Sequence, residues 1–352
     1  MGRIHHSFKE RMTMEQTTTE DAFSQKVHLL RADYQTKRDS SNLVPPTGRP
    51  VVDLSVDVID NVIYYTYWYE GEDETHCVRL ADIPNTLSGD ILRLQQDLPL
   101  REGSYEVIGD QLRLLEHAPL PPAPDDDFED VSAILSLLPV VEVDPGKHFV
   151  KKPKYNSEIQ NLLKCQGGSC PGVPKSNHVV QLLGKSSQGE PVFEKFRPRY
   201  ILAFVNTLAM YKRWILQLIS GLRCLHSLGI IHRDLRIDNL VFSCDGSRLL
   251  ICDLEARWGN RLAPEISRHP VLEAGWTEKS DIYDIGNVIK GMIYGNAPIT
   301  NQVEWHVPSP LAAIVDACIR EVPDERPRLD DLYAIVKEIN VDGTDVAYFE
   351  DD

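Results

Sequence analysis

The chain of 352 residues contains no apolar run that approaches the ~20 residues needed for a membrane-spanning helix. Its opening stretch, MGRIHHSFKERM, lacks the apolar core of a secretory signal, and His6 stands where a myristoylation pattern wants Ser or Thr. An intracellular chain, cytoplasmic or nuclear, with no membrane partner is therefore expected. Cationic charge is also scarce: 37 Lys and Arg face 53 Asp and Glu, a net charge of -16 that repels phosphate backbones and argues against a nucleic-acid partner. The 7 cysteines are odd in number and lack metal-ligand spacing, and the closest pair, Cys165 and Cys170, lies among Gly and Pro. Reduced thiols are expected, with no disulfide framework. What is plentiful is apolar side chain, 42% of the total, enough at roughly 150 residues per domain to fill about two cores.

Residues 1–48 are polar, with one amphipathic segment in which Phe23, Val27, Leu30 and Tyr34 share a helical face after Glu20-Asp21, so a mobile arm with one helix is expected. Residues 49–117 change to β texture. VVDLSVDVI and NVIYYTYWY are rich in β-branched and aromatic residues, meet at Asp60-Asn61 as a hairpin, and are continued by HCVRLADI. The stretch PLPPAPDDDFED, with four Pro followed by five acidic residues, cannot pack a core and marks a linker over 118–130. Beyond it, β-like runs (SAILSLLPVVEV, KHFVKK, HVVQLL, PVFEKF) give way to helical periodicity. The clearest helix holds Val205, Leu208, Tyr211, Trp214, Ile215, Leu218, Ile219, Leu222 and Leu225 and stops at Gly229. Strands first and helices after predict an α+β bilobal unit over 131–342, followed by an acidic, solvated tail at 343–352.

That helix leads into His232-Arg233-Asp234-Leu235-Arg236-Ile237-Asp238-Asn239. The order H-R-D-x-x-x-x-N resembles the catalytic loop of eukaryotic protein kinases, and the resemblance extends over about residues 130–340. Asp253-Leu254-Glu255 stands where such kinases carry D-F-G, and Ala263-Pro264-Glu265 matches A-P-E. The resemblance implies that Asp281 braces the loop carrying His232 and Arg233, and that Arg326 pairs with Glu265. Upstream, Phe149-Val150-Lys151-Lys152 resembles V-A-I-K and Glu158 follows, so Lys151 and Glu158 would form the activating ion pair, with Lys152 as the alternative register. Leu162, on the helical face of Glu158, would pack toward Leu254 and His232. Glu194 would mark the hinge against adenine, between an N-lobe at 131–194 and a C-lobe at 195–342, with the β-rich segment as an extension.

The implied cofactors are ATP and Mg²⁺. Hard cations want oxygen ligands, supplied here by the carboxylate of Asp253 and the amide oxygen of Asn239. Asp234 would accept a proton from the attacking hydroxyl, Lys151 would hold the α and β phosphates, and Arg236 would stand near the γ-phosphate. The chain also departs from the pattern. Upstream of Lys151, PVVEVDPGKHF offers only Gly146 where a Gly-rich turn covers the phosphates, and Glu255 replaces the Gly of D-F-G. The run DLEARWGNRLAPE has no Ser, Thr or Tyr to phosphorylate, which leaves Arg233 to a structural role or to a carboxylate such as Glu255. The resemblance implies an ATP- and Mg²⁺-dependent kinase of Ser/Thr type acting on a protein substrate. The departures imply two alternatives, a pseudokinase scaffold and a phosphotransferase acting on small molecules.

Overall fold

The computed structural model describes residues 21–40, 51–60, 62–70, 75–93, 103–116, 119, 128–197, 199–257, 259, 262–266, 275–295 and 306–341. The acidic tail expected at 343–352 and most of the Pro/Asp linker lie outside them. Among the described residues two compact units emerge: those within 21–30, 129–295 and 306–341 form one, and those within 31–128 form the other. The first helix, α1 (Ala22–Ser40), contributes to both.

The smaller unit is a five-stranded sheet of order β1-β2-β3-β4-β5, from β1 (Val51–Ile59), β2 (Val62–Glu70), β3 (Thr75–Ala81), β4 (Tyr105–Ile108) and β5 (Gln111–Leu114). The expected hairpin is present, with Ile59 opposite Val62 and Asp60 at φ 50, a left-handed turn conformation that Asp tolerates well. The join between β3 and β4 is parallel, which requires a crossover, and helix α2 (Leu87–Arg93) lies along it. Tyr65, Tyr67 and Tyr69 alternate onto one face and bury against Val78, Leu80, Ile91, Leu92, Tyr105 and Val107. On the opposite face Trp68 donates its indole N–H to the Pro119 carbonyl at 2.8 Å.

In the larger unit the run SAILSLLPVVEV does not form a strand. Ser132–Ser136 is a short helix, α3, started by Asp130, whose carboxylate accepts the Ser132 N–H at 2.9 Å; only Val140 bridges to a strand, at Lys185. Strands β6 (His148–Val150), β7 (Leu182–Lys185) and β8 (Pro191–Glu194) make an antiparallel sheet of order β6-β8-β7, and helix α4 (Asn156–Cys165) precedes β7. Where a Gly-rich hairpin would precede β6, Asp144-Pro145-Gly146-Lys147 makes a tight turn, with Asp144 accepting N–H groups from Gly146 and His148 at 2.8 Å each.

The long helix α5 (Leu208–Ser227) buries Tyr211, Trp214, Ile215, Leu218, Ile219, Leu222 and Leu225. Val205 falls outside it, because Thr207 takes the N-cap and accepts the Met210 N–H at 3.3 Å. The helix ends as expected before Gly229, at φ 70. The ribbon β9 (Leu240–Phe242) and β10 (Leu249–Ile251) follows, then α6 (Glu278–Tyr294), α7 (Leu311–Cys318) and α8 (Leu329–Lys337).

The first turns of α1 depart from the expected mobile arm. Phe23 and Val27 are buried, Phe23 meeting the Tyr211 ring edge-on at 5.9 Å, so this segment is docked on α5. Asp21 caps α1 through the Ser24 N–H at 2.7 Å, and its other carboxylate oxygen accepts the Leu208 N–H at 2.9 Å, where α5 begins. The side chain of Tyr34 lies outside the described residues.

Candidate functional site

The loop after α5 is built around Asp281, which α6 presents from its first turn. This side chain is fully buried. Its carboxylate accepts the N–H of His232 at 2.8 Å and that of Arg233 at 2.9 Å, and His226 Nε2 lies 2.8 Å away. Arg233 is thereby held at φ 71, a region that side chains with a Cβ rarely occupy. His232 Nε2 sits 3.0 Å from the carbonyl oxygen of Cys252, tying the loop to the segment that carries Asp253.

The loop's ends meet across Asn239. Its Nδ2 donates to the Asp234 carbonyl at 2.8 Å and to the Asp234 carboxylate at 2.9 Å. Both amide hydrogens are committed, so the carbonyl oxygen is what Asn239 can offer a cation. Arg236 lies with Nε 3.7 Å from both Asp234 and Asp238, an exposed position between two carboxylates.

Lys151, just past the end of β6, is the lysine that meets Glu158, at 2.7 Å; the alternative register, Lys152, is not the one in this pair. Lys151 also contacts Asp253, itself at φ 63, and lies 3.7 Å from Glu255. Burial acts to lower the Lys151 pKa, but the carboxylates of Glu158 and Asp253 override it and hold the ammonium charged well above its ordinary range. Burial raises the pKa of Glu158, against the pull of Lys151. Glu255 is pushed up to about 7, first by burial and then by the charge of Asp253. Arg233 and Glu255, expected as possible partners, form no ion pair with each other among the described residues; Lys151 takes that carboxylate.

These groups open onto a cleft of about 420 Å³. Phe149, Val180, Phe193, Phe196, Val241 and Cys252 give it apolar walls, while Lys151, Glu158, Asn239 and Asp253 gather on the polar side. Glu194 lies on the rim at the end of β8, its side chain exposed. After it, Arg197 and Phe242 exchange backbone hydrogen bonds of 2.8 and 2.7 Å, so the chain leaving the sheet is stitched to β9. Ligand oxygens of Glu158, Asp253 and Glu255 lie within 4.8 Å of one another, and the Lys151 ammonium sits among them as their counter-charge.

Three contacts were not anticipated from sequence. Asn161 donates to the Leu254 carbonyl at 2.9 Å and Ser157 to the Glu255 carbonyl at 2.8 Å, so α4 reads the backbone of the Asp253–Glu255 segment directly. Asn161 lies three residues from Glu158, and helical spacing alone would have placed both on one face. The third is Glu129, in the expected linker, whose carboxylate reaches Asn156 and Arg257. Leu162, Leu254 and His232 are buried, as is the pair of Arg326 with Glu265 on the guanidinium side.

No protein-family model matches the chain. It is similar to a probable LIM domain-containing serine/threonine-protein kinase of Dictyostelium discoideum, 24% identical over 210 residues, which cover 53% of this chain and 31% of that protein. It is 27% identical over 169 residues to the mitogen-activated protein kinase kinase kinase mom-4 of Caenorhabditis briggsae, covering 44% of this chain and 29% of the relative. Mitogen-activated protein kinase kinase kinase 7 of Homo sapiens is 25% identical over 166 residues, 37% of this chain and 26% of that protein. These relatives are protein kinases. The chain spans less than a third of the length of each of the three, and the distant likeness supports a kinase-like family.

Proposed function

We propose that the chain is an ATP- and Mg²⁺-dependent protein kinase of Ser/Thr type, acting inside the cell on a protein substrate. The observation that carries this reading is the meeting of Lys151, Glu158 and Asp253 in one apolar-walled cleft with Asn239, which is bonded to Asp234. In this reading residues 131–194 and 195–342 are the two lobes of a kinase-like fold, and 49–117 is a β-rich extension.

Mg²⁺ would be held by Asp253 and the Asn239 carbonyl, and it supplies charge neutralisation of the triphosphate. Lys151, kept charged and oriented by Glu158, binds the α and β phosphates, while the backbone beside Glu194 faces adenine. Arg236, 3.7 Å from Asp234 and Asp238, would stand near the γ-phosphate. Asp234 takes the proton of the substrate hydroxyl as that oxygen bonds to the γ-phosphorus and the bridging oxygen departs with ADP.

One observation favours the scaffold alternative. Glu255 lies 3.7 Å from Lys151, where its carboxylate, when ionised, competes with a triphosphate. A thermal-shift titration with ATP, with and without Mg²⁺, on wild type and Asp253→Asn separates the readings. At 100 times Kd the ligand stabilises the folded state by about 2.7 kcal/mol. A Mg²⁺-dependent shift that is lost in the variant supports the kinase, and phosphate transfer abolished by Asp234→Asn completes the case. No shift at millimolar ATP selects the scaffold.

A further inference from the structure

Helix α4 needs an acceptor at its N-terminus, and the residue before it, Tyr155, has a side chain that makes no capping bond. Glu129 supplies one from a distant part of the chain. Its Oε2 accepts the Asn156 N–H at 2.9 Å and the Asn156 Nδ2 at 3.1 Å. Its Oε1 pairs with the guanidinium of Arg257, which also lies over the Tyr155 ring at 4.7 Å. The Glu129 backbone N–H bonds the Lys154 carbonyl at 2.9 Å, and the Asp130 carbonyl accepts the Asn156 side chain at 3.3 Å. One carboxylate therefore joins the start of the helix that carries Glu158 to Arg257, four residues past Asp253. The bonds from Asn156 and then Arg257 keep Glu129 ionised below the ordinary range for Glu.

The run from Asp253 to Glu265 holds no hydroxyl that could be phosphorylated, yet it holds this arginine. A phosphate on such a segment would act as an anion bound between cationic and N–H groups. Glu129 presents a fixed anion to an arginine and a helix N-terminus at once.

We propose that Glu129 is a positioning residue, a built-in anionic latch that holds α4 against the Asp253–Arg257 segment and so keeps the Lys151–Glu158 pair assembled without any phosphorylation. The proposal rests on the reading of the cleft as a nucleotide site only for its consequence; the latch itself is a property of the nucleotide-free chain. Glu129→Gln keeps the size and one acceptor but removes the charge, and Arg257→Gln removes the partner from the other side.

The test is amide hydrogen exchange on the full chain without nucleotide, followed by the ATP titration. In wild type, exchange across α4 is slow and unchanged by phosphatase treatment. In each variant it rises about tenfold in α4 and in the 253–257 segment, the mark of a local opening, while the rest of the unit and Tm hold. The Mg²⁺-dependent ATP shift shrinks in parallel. Unchanged α4 exchange in both variants overturns the latch, as does a uniform rise over the whole unit, which marks a merely structural role. Loosening of wild-type α4 by phosphatase overturns it too. A wild type that shows the latch in exchange yet ignores ATP overturns the nucleotide-site reading and leaves the latch standing.

Discussion

Arg326 grips Glu265 with two parallel hydrogen bonds, Nη1 to Oε1 at 2.6 Å and Nη2 to Oε2 at 2.8 Å. The guanidinium is fully buried, and its three remaining N–H donors reach the carbonyls of Arg320 and Lys279, each at 2.8 Å, and of Glu321 at 3.3 Å, while its Cζ lies 4.9 Å from the Tyr283 ring centre. Every donor direction of the fork is occupied, which is what makes a buried cation tolerable.

Arg326→Met removes one partner and leaves Glu265 facing a desolvated pocket. Stability in urea should fall by about 3 kcal/mol, with part of it recovered when Glu265→Leu is added. A loss under about 1 kcal/mol would show the pair to be a surface-type ion pair of little consequence.

Asp281→Asn keeps shape but replaces one acceptor oxygen with a donor, facing N–H groups of His232 and Arg233. The expected loss is about 2–3 kcal/mol, with faster exchange of those two amides and a weakened ATP response. If the exchange of those amides is unaltered, Asp281 does not brace the loop.

Asp284 is buried on α6, and its pKa is raised first by desolvation and then by the charges of Asp281, Asp234 and Glu265, against the pull of Arg326. The folded state therefore holds this proton to higher pH than the unfolded chain does. Stability from this group is present at acid pH and is lost as pH rises above the ordinary Asp value. Asp284→Asn should flatten that slope, stabilising the protein more at pH 8 than at pH 5, as read from Tm at the two values. An equal gain at both would rule out titration of Asp284 as the source.

Glu255→Gly takes a carboxylate away from Lys151. At about 4 Å one charge is worth on the order of 1–2 kcal/mol in a half-solvated site, so Kd for ATP with Mg²⁺ should tighten about tenfold by calorimetry. Weaker affinity would show that Glu255 helps hold the metal, and unchanged affinity would show that it does not compete with the phosphates.

Much of the site is legible in the sequence because its residues act at short range or at a fixed spacing. His232, Arg233, Asp234 and Asn239 lie on one loop, and Asp253 is brought to them through the Cys252 carbonyl. Lys151 against Lys152 is decided by strand alternation at the end of β6, which a three-residue strand leaves ambiguous until its register with β8 is known. The short helix at Ser132–Ser136 escapes because its apolar run has strand composition and only the Asp130 carboxylate on the Ser132 N–H betrays it. Glu129 escapes because a carboxylate in an acidic, Pro-rich stretch looks solvated; its partners Asn156 and Arg257 are distant in sequence, and no local period points to them. Docking of Phe23 and Val27 escapes for the same reason, since a helical face reveals that it will be covered but not by what.

Asp21 and the Leu208 N–H are separated by 187 positions, and this bond also joins two elements that must be made at different times. At a synthesis rate of about 5–20 residues per second, the first turns of α1 wait roughly ten to forty seconds before their landing place exists. During that interval the intervening sheet of residues 51–114 has all its own strands in hand. Until α5 emerges, the apolar face of Phe23 and Val27 has no landing place on the nascent chain.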